Sequence, residues 1–152
     1  MYSRHIVVVN KDSGIENLAD LKGKRVAVQV TSKPEYILSN TNTPQVGVLY
    51  SMSTMEELYA SLRKGYVDAI AAHETSIQQY IKDYGAKIRI LDEAILTTGI
   101  GVAFPENTDS ELPEKLTEIF KEMRKDGSEE KILKKYLPET SGYLEVDKIE
   151  NN

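Results

Sequence analysis

Short apolar runs rich in Val and Ile alternate with amphipathic segments along the first two thirds of the chain. Such runs are typical of strands that are covered on both faces of a sheet. The segments between them place apolar residues three and four positions apart, which predicts helices. Ser32 and Thr54 each precede a Glu by three positions, a capping-box pattern that predicts where two of these helices begin. The predicted strands are residues 5–10, 25–30, 45–50, 67–72, 87–91 and 99–104.

This alternation predicts an α/β fold class, with a mainly parallel sheet flanked by helices. After Pro105 the pattern changes to two amphipathic helices, which are separated by Gly127 and ended by Pro138. The first of these helices carries one apolar stripe, made of Leu112, Leu116, Ile119, Phe120 and Met123. We therefore divide the chain into a lobe over residues 5–104, C-terminal helices over 105–137 and a polar tail over 138–152.

Charge and residue types exclude several functional classes. Cys is absent and His5 and His73 are the two imidazoles, so disulfides, thiol nucleophiles and multi-His or Cys metal sites within one chain are not expected. Residues 1–104 hold 11 acidic and 11 basic residues, and residues 105–152 hold 13 acidic against 8 basic, which gives the net charge of −5. Nucleic-acid binding is not expected, because it requires a basic face.

The overall composition is that of a folded domain, since 40% of the 152 residues are apolar and 28% are charged. No apolar run approaches the length of a membrane-spanning helix, about 20 residues. The N-terminus lacks the apolar region of a signal peptide. We therefore expect either a cytosolic protein or a piece of a longer one.

Polar side chains follow the second and fourth predicted strands at their carboxyl ends, where α/β sheets bind ligands. Thr31, Ser32 and Lys33 combine hydroxyls, amides and an ammonium at a helix start, which suits a carboxylate or phosphate and equally suits simple capping. His73 and Glu74 suit ligand binding, action as a base, or a role as surface or cap residues. The sequence has no nucleophile elbow, phosphate-binding loop or dinucleotide-binding glycine motif, so neither catalysis nor a cofactor is predicted.

Several segments in collinear order resemble the bacterial extracellular solute-binding proteins of family 3, the type 2 periplasmic-binding-protein-like amino-acid receptors of ABC importers. The longest segment is residues 15–29, which read IENLADLKGKRVAVQ. The others are residues 57–70 with their GYVDAI motif, 101–104 (GVAF), 116–127 and 132–136 (ILKKY). The resemblance covers about residues 5–137 and depends on the ordered set of segments.

Members of this family have two lobes joined by crossing strands and hold their ligand between the lobes. The resemblance implies that this chain comprises the second lobe and the helices that normally pack on a first lobe, whose sequence is not included. It implies that Thr31, Ser32 and Lys33 occupy the segment that holds the ligand α-carboxylate. His73 stands where an acidic residue usually pairs with the ligand ammonium, and Glu74 is the adjacent substitute.

The resemblance implies a non-catalytic function: the substrate-binding component of an ABC importer for amino acids or similar small polar or anionic solutes. Its location would be extracytoplasmic and its partner a permease. One alternative is the sensing domain of a membrane histidine kinase or cyclic-dinucleotide signalling protein, and a more remote one is a periplasmic dehydratase. Without a first lobe, we expect the apolar stripe at 112–123 to form a homodimer or to fold onto the lobe.

Overall fold

The computed structural model describes residues 1–40, 44–108, 111–137 and 140–144. The chain divides into two compact units, Arg4–Thr97 and the combination of Met1–Ser3 with Thr98–Asn152. The strands are β1 (Tyr2–Asn10), β2 (Arg25–Gln29), β3 (Val48–Met52), β4 (Ala69–His73) and β5 (Ile88–Gly99). The helices are α1 (Lys33–Asn40), α2 (Met55–Arg63), α3 (Glu74–Tyr84), α4 (Glu111–Lys125), α5 (Ser128–Leu133) and α6 (Ser141–Leu144), with a 3-10 turn at Leu18–Leu21.

The sheet has five strands in the order β3-β2-β4-β1-β5. Strand β2 runs parallel to both β3 and β4, whereas β1 runs antiparallel to β4. The predicted α/β class with a helix-flanked sheet is confirmed, and the sheet is mixed. Parallel pairing of β2, β3 and β4 is possible because a helix crosses over between each consecutive pair.

Two apolar cores cover the two faces of the sheet. One core joins Ile6 and Ile70 of the sheet to Leu58 of α2 and Ile77 of α3. The other lies on the opposite face and includes Val7, Val26 and Val28 together with residues from the 3-10 turn and α1. Successive strand residues alternate between the faces, so β1 supplies both cores from one run of Val and Ile. This explains why the run lacks a polar alternation.

Helix α2 begins as the sequence predicts. The Thr54 hydroxyl accepts a hydrogen bond from the Glu57 N–H at 3.2 Å, and the Glu57 carboxylate accepts one from the Thr54 N–H at 3.1 Å. The predicted capping box is therefore complete. No helix among the described residues is long and apolar enough to cross a membrane.

The prediction of two separate strands at 87–91 and 99–104 is wrong. One strand, Ile88–Gly99, occupies the interval, and residues 100–105 have no regular secondary structure. Asp92 and Glu93 interrupt the apolar pattern of the sequence. The strand nevertheless continues through them, because β5 lies at the edge of the sheet and both side chains are exposed. The Glu93 carboxylate accepts a hydrogen bond from the Leu18 N–H at 2.8 Å, so this charge is satisfied within the fold.

The second unit contains the predicted C-terminal helices, and Gly127 between them adopts a left-handed conformation with φ of 78°. The apolar stripe is largely accessible along α4, with Leu112 50%, Ile119 49% and Phe120 37% exposed. Most of the predicted polar tail, residues 138–139 and 145–152, lies outside the described residues, and its described part includes α6.

Candidate functional site

The parallel pairing of β2 with β4 brings two candidate segments to one edge of the sheet. Val28 is the Cα partner of Ala71, so both strands end at the same level. The segment Thr31–Lys33 follows β2 within a few residues, and His73 is the last residue of β4. This is the edge at which open α/β sheets bind small molecules.

The loop into α1 is held by Glu35. Its carboxylate accepts a hydrogen bond from the Thr31 N–H at 2.6 Å and another from the Ser51 hydroxyl of β3. The Ser32 hydroxyl in turn accepts one from the Glu35 N–H at 3.3 Å, so Ser32 caps the helix as predicted. The reciprocal bond of the predicted capping box goes instead to Thr31, because the carboxylate reaches one residue further back.

Thr31 adopts φ of 60°, a left-handed conformation that a β-branched residue rarely adopts. The Thr31 hydroxyl bonds to the Val30 carbonyl at 2.7 Å. A cavity of about 340 Å³ lies beside this turn and α1. Its lining residues are Thr31, Ser32, Glu35, Tyr36, Ser39 and Asn40.

His73 is the N-cap of α3 and lies against a second imidazole. Its Nδ1 accepts a hydrogen bond from the Thr75 N–H at 3.3 Å and lies 2.7 Å from the Thr75 hydroxyl. Across the β1–β4 pair, His73 is the register partner of His5, and the two rings meet edge-on with centroids 5.2 Å apart. No local pattern in the sequence marks His5 as a site residue, because this contact depends on strand register.

Three cationic or potentially cationic groups are concentrated here. Burial, the His73 ring and the Lys33 ammonium, in that order of size, lower the pKa of the His5 imidazole. The Lys33 ammonium lies 5.2 Å from the centre of the Tyr36 ring. The His5 Nδ1 atom is shielded from solvent and has no hydrogen-bond partner among the described residues.

Glu74 is adjacent to His73 in sequence but lies in a different environment. Its side chain is buried and forms an ion pair with Arg4, with Nη1 and Oε1 3.4 Å apart. Gln78 also donates to this carboxylate at 3.4 Å. Arg4 precedes His5 in β1 and therefore projects from the opposite face of the sheet. The structure thus places His73 against His5 and the Lys33 ammonium within electrostatic range of His5, and it directs Glu74 to the opposite face of the sheet.

The chemistry of this edge is that of binding. The Ser32 hydroxyl, the Lys33 ammonium and two imidazoles can donate hydrogen bonds to an anionic or polar group. The Thr31 hydroxyl donates to the Val30 carbonyl and keeps only acceptor capacity for a polar group. Within residues 1–40, 44–108, 111–137 and 140–144, no group of three or more His, Cys, Asp or Glu side chains could hold a metal ion.

A helix-flanked α/β lobe with binding groups at the carboxyl ends of its parallel strands is the architecture of a small-molecule-binding domain. Residues 2–150 match the family model described as "ABC transporter, phosphonate, periplasmic substrate-binding protein", and the chain belongs to this family. The resemblance to extracellular solute-binding proteins that the sequence indicated is thereby confirmed.

Relatives extend the comparison. Over 140 residues the chain is 35% identical to the histidine-binding periplasmic protein of Salmonella typhimurium. This alignment covers 86% of this chain and 53% of the Salmonella protein. Over 137 residues it is 32% identical to the arginine-binding extracellular protein ArtP of Bacillus subtilis, and this alignment covers 88% of this chain and 52% of ArtP. The chain therefore spans about half the length of the curated relatives it matches.

A solved structure has the same fold. Substrate-binding domain 2 of Lactococcus lactis GlnP, in an open conformation, superposes with a TM-score of 0.72. The match covers 91% of this chain and 60% of that chain at 23% identity, and it is evidence for the fold alone.

Proposed function

We propose that the chain is part of the substrate-binding component of an ABC importer for amino acids or similar small polar solutes. The component would act outside the cytoplasm with a permease as its partner. The observation that carries the proposal is the sheet edge at which the Thr31–Lys33 segment follows β2 and His73 ends β4, in a chain of a periplasmic substrate-binding family. The relatives named for histidine and arginine support the ligand class.

In this proposal Thr31, Ser32, Lys33 and His73 contact the ligand. Hydroxyl and ammonium groups complement a carboxylate, which every amino acid carries. Glu74 would act indirectly, because its carboxylate forms an ion pair with Arg4 and so helps to hold β1, the strand that carries Arg4. Neutralising it would leave the partly exposed Arg4 guanidinium without this ion pair.

The domain organisation follows from the same proposal. Residues 5–104 would form the ligand-holding lobe, and the helices at 105–137 would pack on the first lobe of the complete receptor. The exposure of Leu112, Ile119 and Phe120 supports this, since a stripe of this kind requires a covering surface. Ligand would favour the closed arrangement of the lobes, and the permease would recognise that arrangement.

A thermal-shift assay on the complete two-lobed receptor tests the function. At a ligand concentration 100 times Kd, binding adds about 2.7 kcal/mol to the unfolding free energy. For a chain of this class that corresponds to a rise in Tm of about 5–10 °C. We expect such a rise with at least one amino acid and its loss in Lys33→Met. Lys24→Met, at the other end of β2, is the control and should retain it.

A panel of amino acids, short peptides and organic acids that leaves Tm unchanged would contradict the function. Loss of binding in both Lys variants would contradict the placement of the site, because Lys24 is remote from the proposed edge.

We also propose that the 152-residue chain by itself forms a homodimer through the apolar stripe. Light scattering should give twice the chain mass, and Phe120→Glu should give a monomer. Lys121→Glu places a carboxylate on the other side of α4, with an even larger change in charge, and should stay dimeric. A monomeric wild-type chain would refute this assembly.

A further inference from the structure

We infer that the ligand presents an anionic oxygen group, a carboxylate or a phosphonate, to a cluster formed by His5, His73 and Lys33. This inference deepens the proposed function and depends on it. It adds His5 to the site and specifies that the ligand group placed beside His73 is an anion and not an ammonium.

The first argument is the charge of the groups that meet at the cluster. Strand β1 contributes His5, β4 contributes His73 and α1 contributes Lys33. All three are neutral or cationic at physiological pH, and each can donate a hydrogen bond to an anion. An ammonium group of a ligand would meet like charge from Lys33 and no compensating carboxylate from these three residues.

The second argument concerns two carboxylates close in sequence to the cluster residues, Glu35 and Glu74, which already have partners. Glu35 accepts hydrogen bonds from the Thr31 N–H and the Ser51 hydroxyl, so its charge already stabilises the start of α1. Glu74 is buried in an ion pair with Arg4 on the opposite face of the sheet. Gln29 at the end of β2 is uncharged and donates to the Ser53 carbonyl at 3.3 Å.

The third argument is the state of His5. Its Nδ1 is shielded from solvent and has no hydrogen-bond partner among the described residues. Such an atom normally finds a partner, because an unmade bond in a shielded position is unfavourable. The lowered pKa of His5 reflects the same environment, where burial, His73 and Lys33 all disfavour a further positive charge. An anion bound within the cluster would reverse that effect and favour the imidazolium.

The inference predicts how affinity depends on pH. Anion binding is coupled to protonation of His5, so affinity for the anion should increase as pH falls through the titration of this imidazole. The attraction exerted by the Lys33 side chain does not depend on the imidazoles and sets the affinity that persists when His5 is neutral.

The two histidines make the test direct, because each imidazole signal can be assigned with a single variant. The 152-residue chain is labelled with ¹⁵N-histidine and followed by NMR during titration with succinate, methylphosphonate, L-arginine and L-histidine. Each compound is added to about 10 mM, so that binding with a Kd of about 1 mM is still detected. Succinate and methylphosphonate distinguish a carboxylate from a phosphonate ligand.

We expect one of the two anions to shift both imidazole signals saturably and to raise the pKa of His5. Affinity for that anion should be about tenfold higher at pH 5.5 than at pH 7.5. A factor of this size corresponds to the free energy of one hydrogen bond to a charged group. His5→Phe, which keeps the ring volume, and Lys33→Met should each weaken binding by about tenfold or more. Lys24→Met is the control and should bind as the wild type.

His73→Asp is the converse variant. Asp is a favoured N-cap residue, so α3 should still begin at the same place. The carboxylate should abolish the response to the anions and create one to L-arginine.

Two results would overturn the inference. If L-arginine or L-histidine shifts the wild-type imidazole signals saturably and neither anion does, the cluster does not select an anionic ligand group. The inference is then wrong and the proposed function stands. If none of the four compounds affects the imidazoles, this edge does not bind ligands in the chain, and the proposed site is refuted along with the inference.

Discussion

Gly47 occupies a position where even one added methyl group should destabilise the fold. A Cβ built on Gly47 would lie 2.4 Å from the carbonyl carbon of Gly23, 2.6 Å from its oxygen and 2.7 Å from its Cα. These are backbone atoms of the turn that leads into β2, so no side-chain rotation can relieve the clash. We therefore predict that Gly47→Ala separates the segment before β3 from this turn.

The magnitude follows from the contacts that would be disturbed. The N–H groups of Gly47 and Val48 donate to the Lys24 carbonyl at 2.8 and 3.1 Å. Overpacking a tight contact costs about 1–3 kcal/mol, and each weakened hydrogen bond costs about 1 kcal/mol. Because the two effects overlap, we expect a loss of about 2–4 kcal/mol in unfolding free energy. For a chain of this size that lowers Tm by about 5–15 °C.

Urea denaturation followed by circular dichroism measures this loss, and Gly14→Ala is the matched control. A Cβ on Gly14 has no atom within 4 Å among the described residues, and its φ is not in the left-handed region. Gly14→Ala should leave the unfolding free energy unchanged or raise it by about 0.4–1 kcal/mol, because Ala lowers the conformational entropy of the unfolded chain. If Gly47→Ala and Gly14→Ala unfold at the same urea concentration, the steric reasoning is refuted.

Three further predictions concern stability. Ile70→Ala removes a fully buried side chain from the core and should cost about 2–5 kcal/mol in urea denaturation, so a loss below 1 kcal/mol would contradict that packing. The Arg25 hydrogen bond lowers the pKa of Asp68, so this pair stabilises the fold above the usual pKa of Asp, and its contribution is lost as pH falls through the folded-state pKa. Asp68→Asn should therefore be less stable than wild type at pH 7 and approach it at pH 3, and a constant difference between the two proteins would refute this. Thr31→Gly should raise Tm slightly, because Gly relieves a left-handed strain of about 1–2 kcal/mol at a backbone entropy cost of about 0.5–1 kcal/mol, and a marked fall in Tm would show that the strain is absent.

Local features of this protein were determined by spacing along the chain. The Thr54–Glu57 capping box forms as predicted because its donors and acceptors are three residues apart, and a single helical turn places them in contact. Ser32 caps α1 for the same reason. The apolar β-branched runs form strands because residues of this kind pack well on a pleated, covered surface.

Long-range features were decided by the tertiary structure. The contact between His5 and His73 joins residues 68 positions apart and exists because β1 pairs antiparallel with β4 in one register. The separation of Glu74 from His73 likewise depends on Arg4, whose side chain the alternation of β1 directs to the other face. Strand order and register are set by the packing of the whole sheet against both cores, and no local spacing specifies them. The sequence alone therefore determined most of the helices and strands, although not the single strand at Ile88–Gly99, whereas packing decided which of their polar side chains share a site.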